Sequence, residues 1–280
     1  MLYNITRDKS SKDQLIVPES FMKGTAISKK SHINLKVAGR IAKIELIKSK
    51  ELENKQILLS ENIFDQLMIP EDIPYQILAE KDYLRIGPVI GLLMTSTKSR
   101  MSKSTLAKLM SYTLIYPEIG GLLVAFSTDC INLEEKTVQG YYYDSNFKGR
   151  GLPCIAGTFP LPEVIFSRTI LSEDTMNMLK EETNNHIFNS NFFNKWEFWN
   201  KVKKNKRAEK YLPDTKLYSD FKDIEEMLDK YGAVYLKPLN GTLSRGLFKV
   251  IKLEEGYGLK HKQGEDMLSF STSEEAAKYI

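Results

Sequence analysis

Tyr235-Leu-Lys-Pro-Leu-Asn-Gly-Thr-Leu-Ser-Arg-Gly246 reads as a strand that runs into a lysine and then into a glycine-bearing loop. Val234 and Leu236 alternate with Tyr235 and Lys237, so the apolar pair and the lysine point to opposite sides. Pro238 has no N–H to give and ends the ladder. Asn240-Gly241 opens a turn, and Gly246 closes it before Leu247-Phe-Lys-Val-Ile-Lys252 resumes a period of two. A cation at a strand end, beside a loop whose free N–H groups can face phosphate oxygens, suits a polyphosphate.

Moving upstream, Ser219-Asp220 caps a helix with Phe221, Ile224, Met227, Leu228 and Tyr231 turned inward, and Gly232 ends it. Tyr211-Leu-Pro213 breaks toward a strand at Thr215–Tyr218. Phe192, Phe193, Trp196, Trp199 and Val202 mark a helical stripe, with Lys195 off its centre as a surface lysine lying over aromatic rings. The run Lys201–Lys210 holds six basic residues around one glutamate. It lacks interleaved aromatics, so it reads as a solvated helix end rather than a nucleic-acid patch. Downstream, Gly256-Tyr-Gly258 turns between antiparallel strands, Leu268-Ser-Phe270 is a further strand, and Ser271-x-x-Glu274 is a capping box for a last helix.

The first 85 residues read as a small β-rich module. Ile33–Val37 and Ile41–Ile47 alternate with period two, Ile57-Leu-Leu59 is a short strand, and Ser60 caps a brief helix bearing Ile63, Phe64 and Leu67. A second unit, 86–185, has continuous apolar runs at Val89–Met94 and Leu122–Phe126, with a helical face of Leu106, Leu109, Met110 and Thr113 between them. With Val138–Tyr143 and Val164–Phe166 this predicts a parallel α/β sheet. The tyrosines 141–143 read as core packing. Arg168 follows the last strand, where a crevice opens in such sheets. It grips a carboxylate or phosphate there, or it sits in a salt bridge.

With 280 residues, 42% hydrophobic and 27% charged, the chain can bury a real core. Its net charge of +4 does not argue for nucleic acid. Two cysteines fit a reducing compartment. The polar first residues are no signal peptide, and no apolar run spans a bilayer, so cytoplasmic synthesis and no membrane partner are expected. His32, His186 and His261 stand apart, and no metal ligand set is read.

Taken in order, these pieces resemble the ATP-grasp superfamily, and more closely its YheC/YheD group of spore-coat-associated proteins. Asn194-Lys-Trp-Glu197 is similar to the family's first-lysine helix, Tyr211-Leu-Pro-Asp-Thr215 to the lead-in to the nucleotide subdomain, and Leu236-Lys-Pro-x-Asn-Gly241 to the second-lysine strand and phosphate loop. Gly140-Tyr-Tyr-Tyr-Asp144 and Pro162–Arg168 are similar to the preceding domain. The resemblance implies a mixed α/β and α+β protein: a β module (1–85), a Rossmann-like pre-ATP-grasp domain (86–185) and the first ATP-grasp subdomain (186–280). It further implies ATP held by Lys195, Lys237, Asn240, Gly241, Thr242, Ser244, Arg245 and Gly246, with the two ammonium groups converging on one hollow. Arg168 would hold an acceptor carboxylate. The implied reaction is an ATP-dependent ligation of a small-molecule or peptide carboxylate to an amine or thiol through an acylphosphate.

Two departures stand out. Ser244 occupies a position where the family loop has glycine, and Arg245 offers compensation as a phosphate ligand. The Mg²⁺ ligands of the family lie in a second subdomain beyond Ile280, so they are expected outside this chain. The chain then reads as a fragment of a longer protein, or as a short, degenerate member acting as a non-catalytic spore-coat scaffold with coat proteins as partners.

Overall fold

The computed structural model describes all residues except 11, 22, 24, 25, 72, 190, 191, 242–245, 263 and 265. The chain divides into two compact units, 1–190 and 191–280. Helices and strands are mixed throughout.

The first unit begins with β1 (Leu2–Asp8), β2 (Gln14–Pro18), β3 (His32–Val37), β4 (Arg40–Ser49), β5 (Gln56–Ser60), α1 (Glu61–Leu67), β6 (Pro74–Ala79) and β7 (Tyr83–Gly87). Their strands close into a barrel in the order β1-β5-β2-β4-β3-β7-β6. Closure follows from strict alternation: Ile5, Leu15, Leu35, Ile57 and Tyr75 all point inward and are fully buried. Ile63, Phe64 and Leu67 of α1 are buried as their spacing predicts. Ser60 corrects its expected role. It stands at the N-cap position of α1 but its side chain makes no cap bond; its hydroxyl is buried, accepts from the Gln14 N–H at 2.9 Å and donates to the Gln14 carbonyl at 3.1 Å. A buried hydroxyl must find partners, and the neighbouring strand supplies both.

There follow β8 (Val89–Thr95), α2 (Lys103–Ala107), α3 (Tyr116–Ile119), β9 (Leu122–Asn132), β10 (Thr137–Tyr143), β11 (Cys154–Pro160), β12 (Val164–Ser167), α4 (Glu173–Glu182) and β13 (Ile187–Phe188). The strands form one sheet, β11-β10-β9-β8-β12-β13. From β9 to β13 it is parallel, and both faces of β8 are covered, Leu93 by one core and Leu92 by another. That double burial makes the run continuously apolar. β10 and β11 are antiparallel additions, so the sheet is mixed. Only a short turn separates β9 from β10, too short for a parallel crossover. The helix expected through Thr113 breaks after Ala107 into a 3-10 turn, yet Leu106 and Leu109 remain buried. The three tyrosines pack: Tyr142 edge-on to Phe159, Tyr143 edge-on to Tyr116, and Tyr141 against the second core.

The second unit contains α5 (Lys195–Lys203), α6 (Phe221–Tyr231), β14 (Ala233–Leu236), β15 (Phe248–Lys252), β16 (Tyr257–His261), β17 (Met267–Phe270) and α7 (Ser273–Tyr279). The antiparallel sheet β14-β15-β16-β17 carries α6 and α7 on one face, around Phe221, Ile224, Leu228, Val250, Leu259 and Ala276. Asp220 and Asp223 form a capping box at the start of α6, and Gly232 ends the helix with φ +72°. Residues 215–218 were expected as a strand and form none. Side chains hold the segment instead: Lys216 bridges Asp223 and Glu226 on α6, and the Thr215 hydroxyl donates to the Pro213 carbonyl. The last capping interaction sits one residue later than expected, with Thr272 accepting from the Glu275 N–H.

Candidate functional site

β14 delivers the Lys237 strand end as its alternation requires. Val234 and Leu236 pack on the core, while Tyr235 is 58% exposed on the opposite face and Lys237 follows it in period. Gly241 and Gly246 have φ of +129° and +70°, which explains glycine at both positions. The Pro238 ring lies beside both of them: a Cβ at Gly246 would stand 3.4 Å from it.

Helix α5 starts at Lys195 because Asn194 and Glu197 make a reciprocal capping box. That cap places Lys195 against the glycine loop. Its backbone N–H donates to the Leu239 carbonyl at 3.2 Å, and its ammonium donates to the carbonyls of Pro238 at 2.7 Å and Gly241 at 3.1 Å. Helix α5 and the glycine loop are therefore joined by Lys195 itself. An ammonium has three donors, and two of them are used among the described residues. Lys237 and Asn240 are exposed. Thr242, Ser244 and Arg245 lie outside the described residues.

Two further cations went unnoticed in the sequence. Tyr235 pairs with Lys249, and Lys249 pairs with Lys260, so two lysines stand side by side across β15 and β16 on the face away from α6 and α7. Both are exposed, while their neighbours Val250 and Leu259 are buried. Like charges directly opposite each other destabilise a sheet. Among the described residues neither has an acidic partner; the ion pairs of this unit lie elsewhere. The alternation in Phe248–Lys252 was a usable signal for Lys249, but only the strand register shows that it meets Lys260.

The Tyr211–Thr215 piece is fixed by charge. Asp214 accepts from Lys230 at 2.8 Å and from the Tyr231 hydroxyl at 2.7 Å, which together hold its carboxyl below the usual range. The Trp199 indole donates to the Pro213 carbonyl and ties the same piece to α5. Under the sheet, a 2.6 Å hydrogen bond to Glu225 pushes the Tyr257 hydroxyl up to about 12.

In the other unit, Arg168 is exposed just past β12. Its N–H donates to the Leu93 carbonyl, and its guanidinium donates to the Tyr112 hydroxyl at 2.9 Å while lying over that ring. Among the described residues no carboxylate is paired with it. Tyr112, which orients it, was missed because its residue lies in the crossover segment, 56 positions away.

Residues 184–280 match the model of a family described as YheC/D like ATP-grasp. The ATP-grasp resemblance holds. The chain is also similar to the Endospore coat-associated protein YheD of Bacillus subtilis (strain 168), at 26% identity over 284 residues. That alignment takes in 98% of this chain and 60% of the relative, so the chain spans 60% of that protein's length. ATP-grasp proteins generally bind ATP and Mg²⁺. The exposed Lys237, Lys249 and Lys260 carry the positive charge that a polyphosphate needs. Among the described residues no group of three histidine, cysteine or acidic side chains could hold a metal ion. No helix among the described residues is long and apolar enough to cross a membrane.

Proposed function

We propose that the 191–280 unit binds ATP on the open face of its sheet, as the first nucleotide subdomain of an ATP-dependent carboxylate–amine ligase. The observation that carries this reading is the row of exposed cations, Lys237, Lys249 and Lys260, beside a glycine loop docked by Lys195, in a segment of ATP-grasp sequence. Phosphate transfer depends on positioning and charge neutralisation more than on side-chain acid–base chemistry. Lys237 neutralises phosphate oxygens, the loop from Asn240 through Thr242, Ser244 and Arg245 to Gly246 covers them, and Lys195 contributes its third proton. ATP supplies the phosphoryl group that activates the carboxylate as an acylphosphate. In the other unit, Arg168, oriented by Tyr112, keeps donors that suit a fork-to-fork pair with a carboxylate. The three-part division at 85 and 185, with a Rossmann-like middle part, belongs to this reading.

Titration calorimetry with ATP tests it. The 280-residue chain should bind ATP, and Lys237→Gln with Lys249→Gln and Lys260→Gln should weaken binding at least ~10-fold, about one exposed charge contact's worth per lysine. Unchanged affinity would remove the nucleotide from this face.

A second reading follows from the relative's name, endospore coat-associated. Here the chain, made in the cytoplasm, joins spore coat proteins and binds ATP without turnover. Release of ADP on adding amine and carboxylate amino acids together supports the ligase; ATP binding with no release supports the scaffold.

A further inference from the structure

Helix α5 is only partly covered: Trp196, Trp199 and Val202 are half-buried. It carries Trp196, Phe198, Trp199 and Val202, yet none of its residues is buried, and Phe198 is 56% exposed. An amphipathic helix gains its stability by burying one face, so this surface is built to be covered. Its charge states the chemistry of the cover. Lys201–Lys210 holds five lysines and one arginine against a single glutamate. The ion pairs described in this unit involve Lys216, Lys230 and Lys252 instead.

Half of these cations are held in place by rings from outside the run. Lys201 lies over Phe193 at 4.7 Å, Lys203 over Trp199 at 4.5 Å, and Lys210 over Tyr211 at 5.0 Å. The run itself lacks aromatics, and the folded chain provides them. Three anionic partners can be weighed on this arrangement. Single-stranded nucleic acid needs ring faces open for base stacking. Here an ammonium lies over each of Phe193, Trp199 and Tyr211, and Trp199 is also stacked with Trp196 at 4.9 Å with planes 5° apart, so the room for bases on these rings is reduced. An anionic bilayer needs rings and cations on opposite faces of a helix, whereas these are interleaved. A single guanidinium among six cations offers little of the bidentate geometry that phosphates favour. What remains is a row of compact point charges whose side chains lose little further freedom on pairing, because the rings already restrain them.

We propose that α5 and the segment running to Lys210 dock an acidic polypeptide, a glutamate- or aspartate-rich stretch of a partner protein. This stands apart from the nucleotide reading, since it needs neither ATP nor the glycine loop.

The test is fluorescence anisotropy of a labelled 20-residue poly-L-glutamate with the 280-residue chain at low salt, without nucleotide. Poly-L-glutamate should bind, and binding should weaken as salt rises. Lys201→Gln, Lys203→Gln and Lys210→Gln together remove the ring-held cations. Lys204→Gln, Lys206→Gln and Arg207→Gln remove equal charge without touching the rings. The first triple should weaken binding ~10-fold and the second roughly 3-fold, because organised charges pair at lower entropic cost. Circular dichroism confirms that both variants fold. Absence of binding overturns the proposal. So do equal losses in the two triples, or tighter binding of labelled oligo-dT or phosphatidylglycerol vesicles than of poly-L-glutamate.

Discussion

Lys195 holds the glycine loop before any nucleotide arrives, and that can be measured. Its ammonium makes two charged hydrogen bonds, to the Pro238 and Gly241 carbonyls, and its own N–H depends on the Leu239 carbonyl. That N–H is at the first helical position of α5, where no intrahelical acceptor exists. Lys195→Met keeps length and helix propensity but removes both ammonium bonds. Bonds to charged donors contribute ~1.5–3 kcal/mol when shielded, and these are exposed, so ~1 kcal/mol each is a fair value. A loss of ~2 kcal/mol corresponds to a roughly 30-fold larger population of released loop. Amide hydrogen exchange followed by NMR, without nucleotide, reports this directly. The residue-195 amide should exchange roughly 30-fold faster, while the buried Val250 and Leu259 amides of β15 and β16 stay unchanged. A residue whose only task is to touch phosphate would not move exchange in nucleotide-free protein. An unchanged rate at residue 195 therefore refutes the latch, whatever happens to ATP affinity.

Other outcomes follow from the same geometry. Ser60→Ala strands the Gln14 N–H that its hydroxyl now satisfies and should lower stability in urea by ~1–3 kcal/mol. Gly256 has φ +86°, and a Cβ there would collide with the Phe270 carbonyl; Gly256→Ala should destabilise the second unit by ~2 kcal/mol or more, seen as an early loss of its tryptophan signal on heating. The Lys216 hydrogen bond, then Ser219, holds the Asp223 carboxyl far below the usual range, and Asp223 raises Lys216. A depressed carboxyl contributes stability above its unfolded value near ~4 and loses it as pH falls through the folded value. A raised lysine contributes below ~10.4 and loses it as pH climbs through its folded value. The melting-temperature gap between the parent and Asp223→Asn should therefore be widest at neutral pH and close toward both extremes; a gap independent of pH would show that the pair carries no such linkage.

Local pattern made much of this protein legible. The Lys237 strand end, the capped α6, the buried runs of β8 and β9 and the inward face of α1 all follow from spacing, because period and capping are properties of neighbouring residues. β11 escaped notice: Cys154-Ile-Ala-Gly-Thr-Phe-Pro160 has a mid-strand glycine and an exposed, irregular burial pattern, so no alternation marks it. Thr215–Tyr218 had strand character but no strand lies beside it to complete a ladder. Ser60 looked like a cap because its neighbours in sequence suggested one, while its partner, Gln14, is 46 residues away.

Local spacing specifies which residues alternate, where helices are capped, and that a lysine meets a glycine loop at the end of a strand. Tertiary structure alone decided that Lys249 stands beside Lys260, that Tyr112 aims Arg168, that Phe193, Trp199 and Tyr211 restrain three lysines of the basic run, and that Lys195 spends two of its protons on the loop. Each of these joins residues whose meeting depends on strand register or loop path. Register is selected by burial of a whole face at once, which no single stretch of chain records.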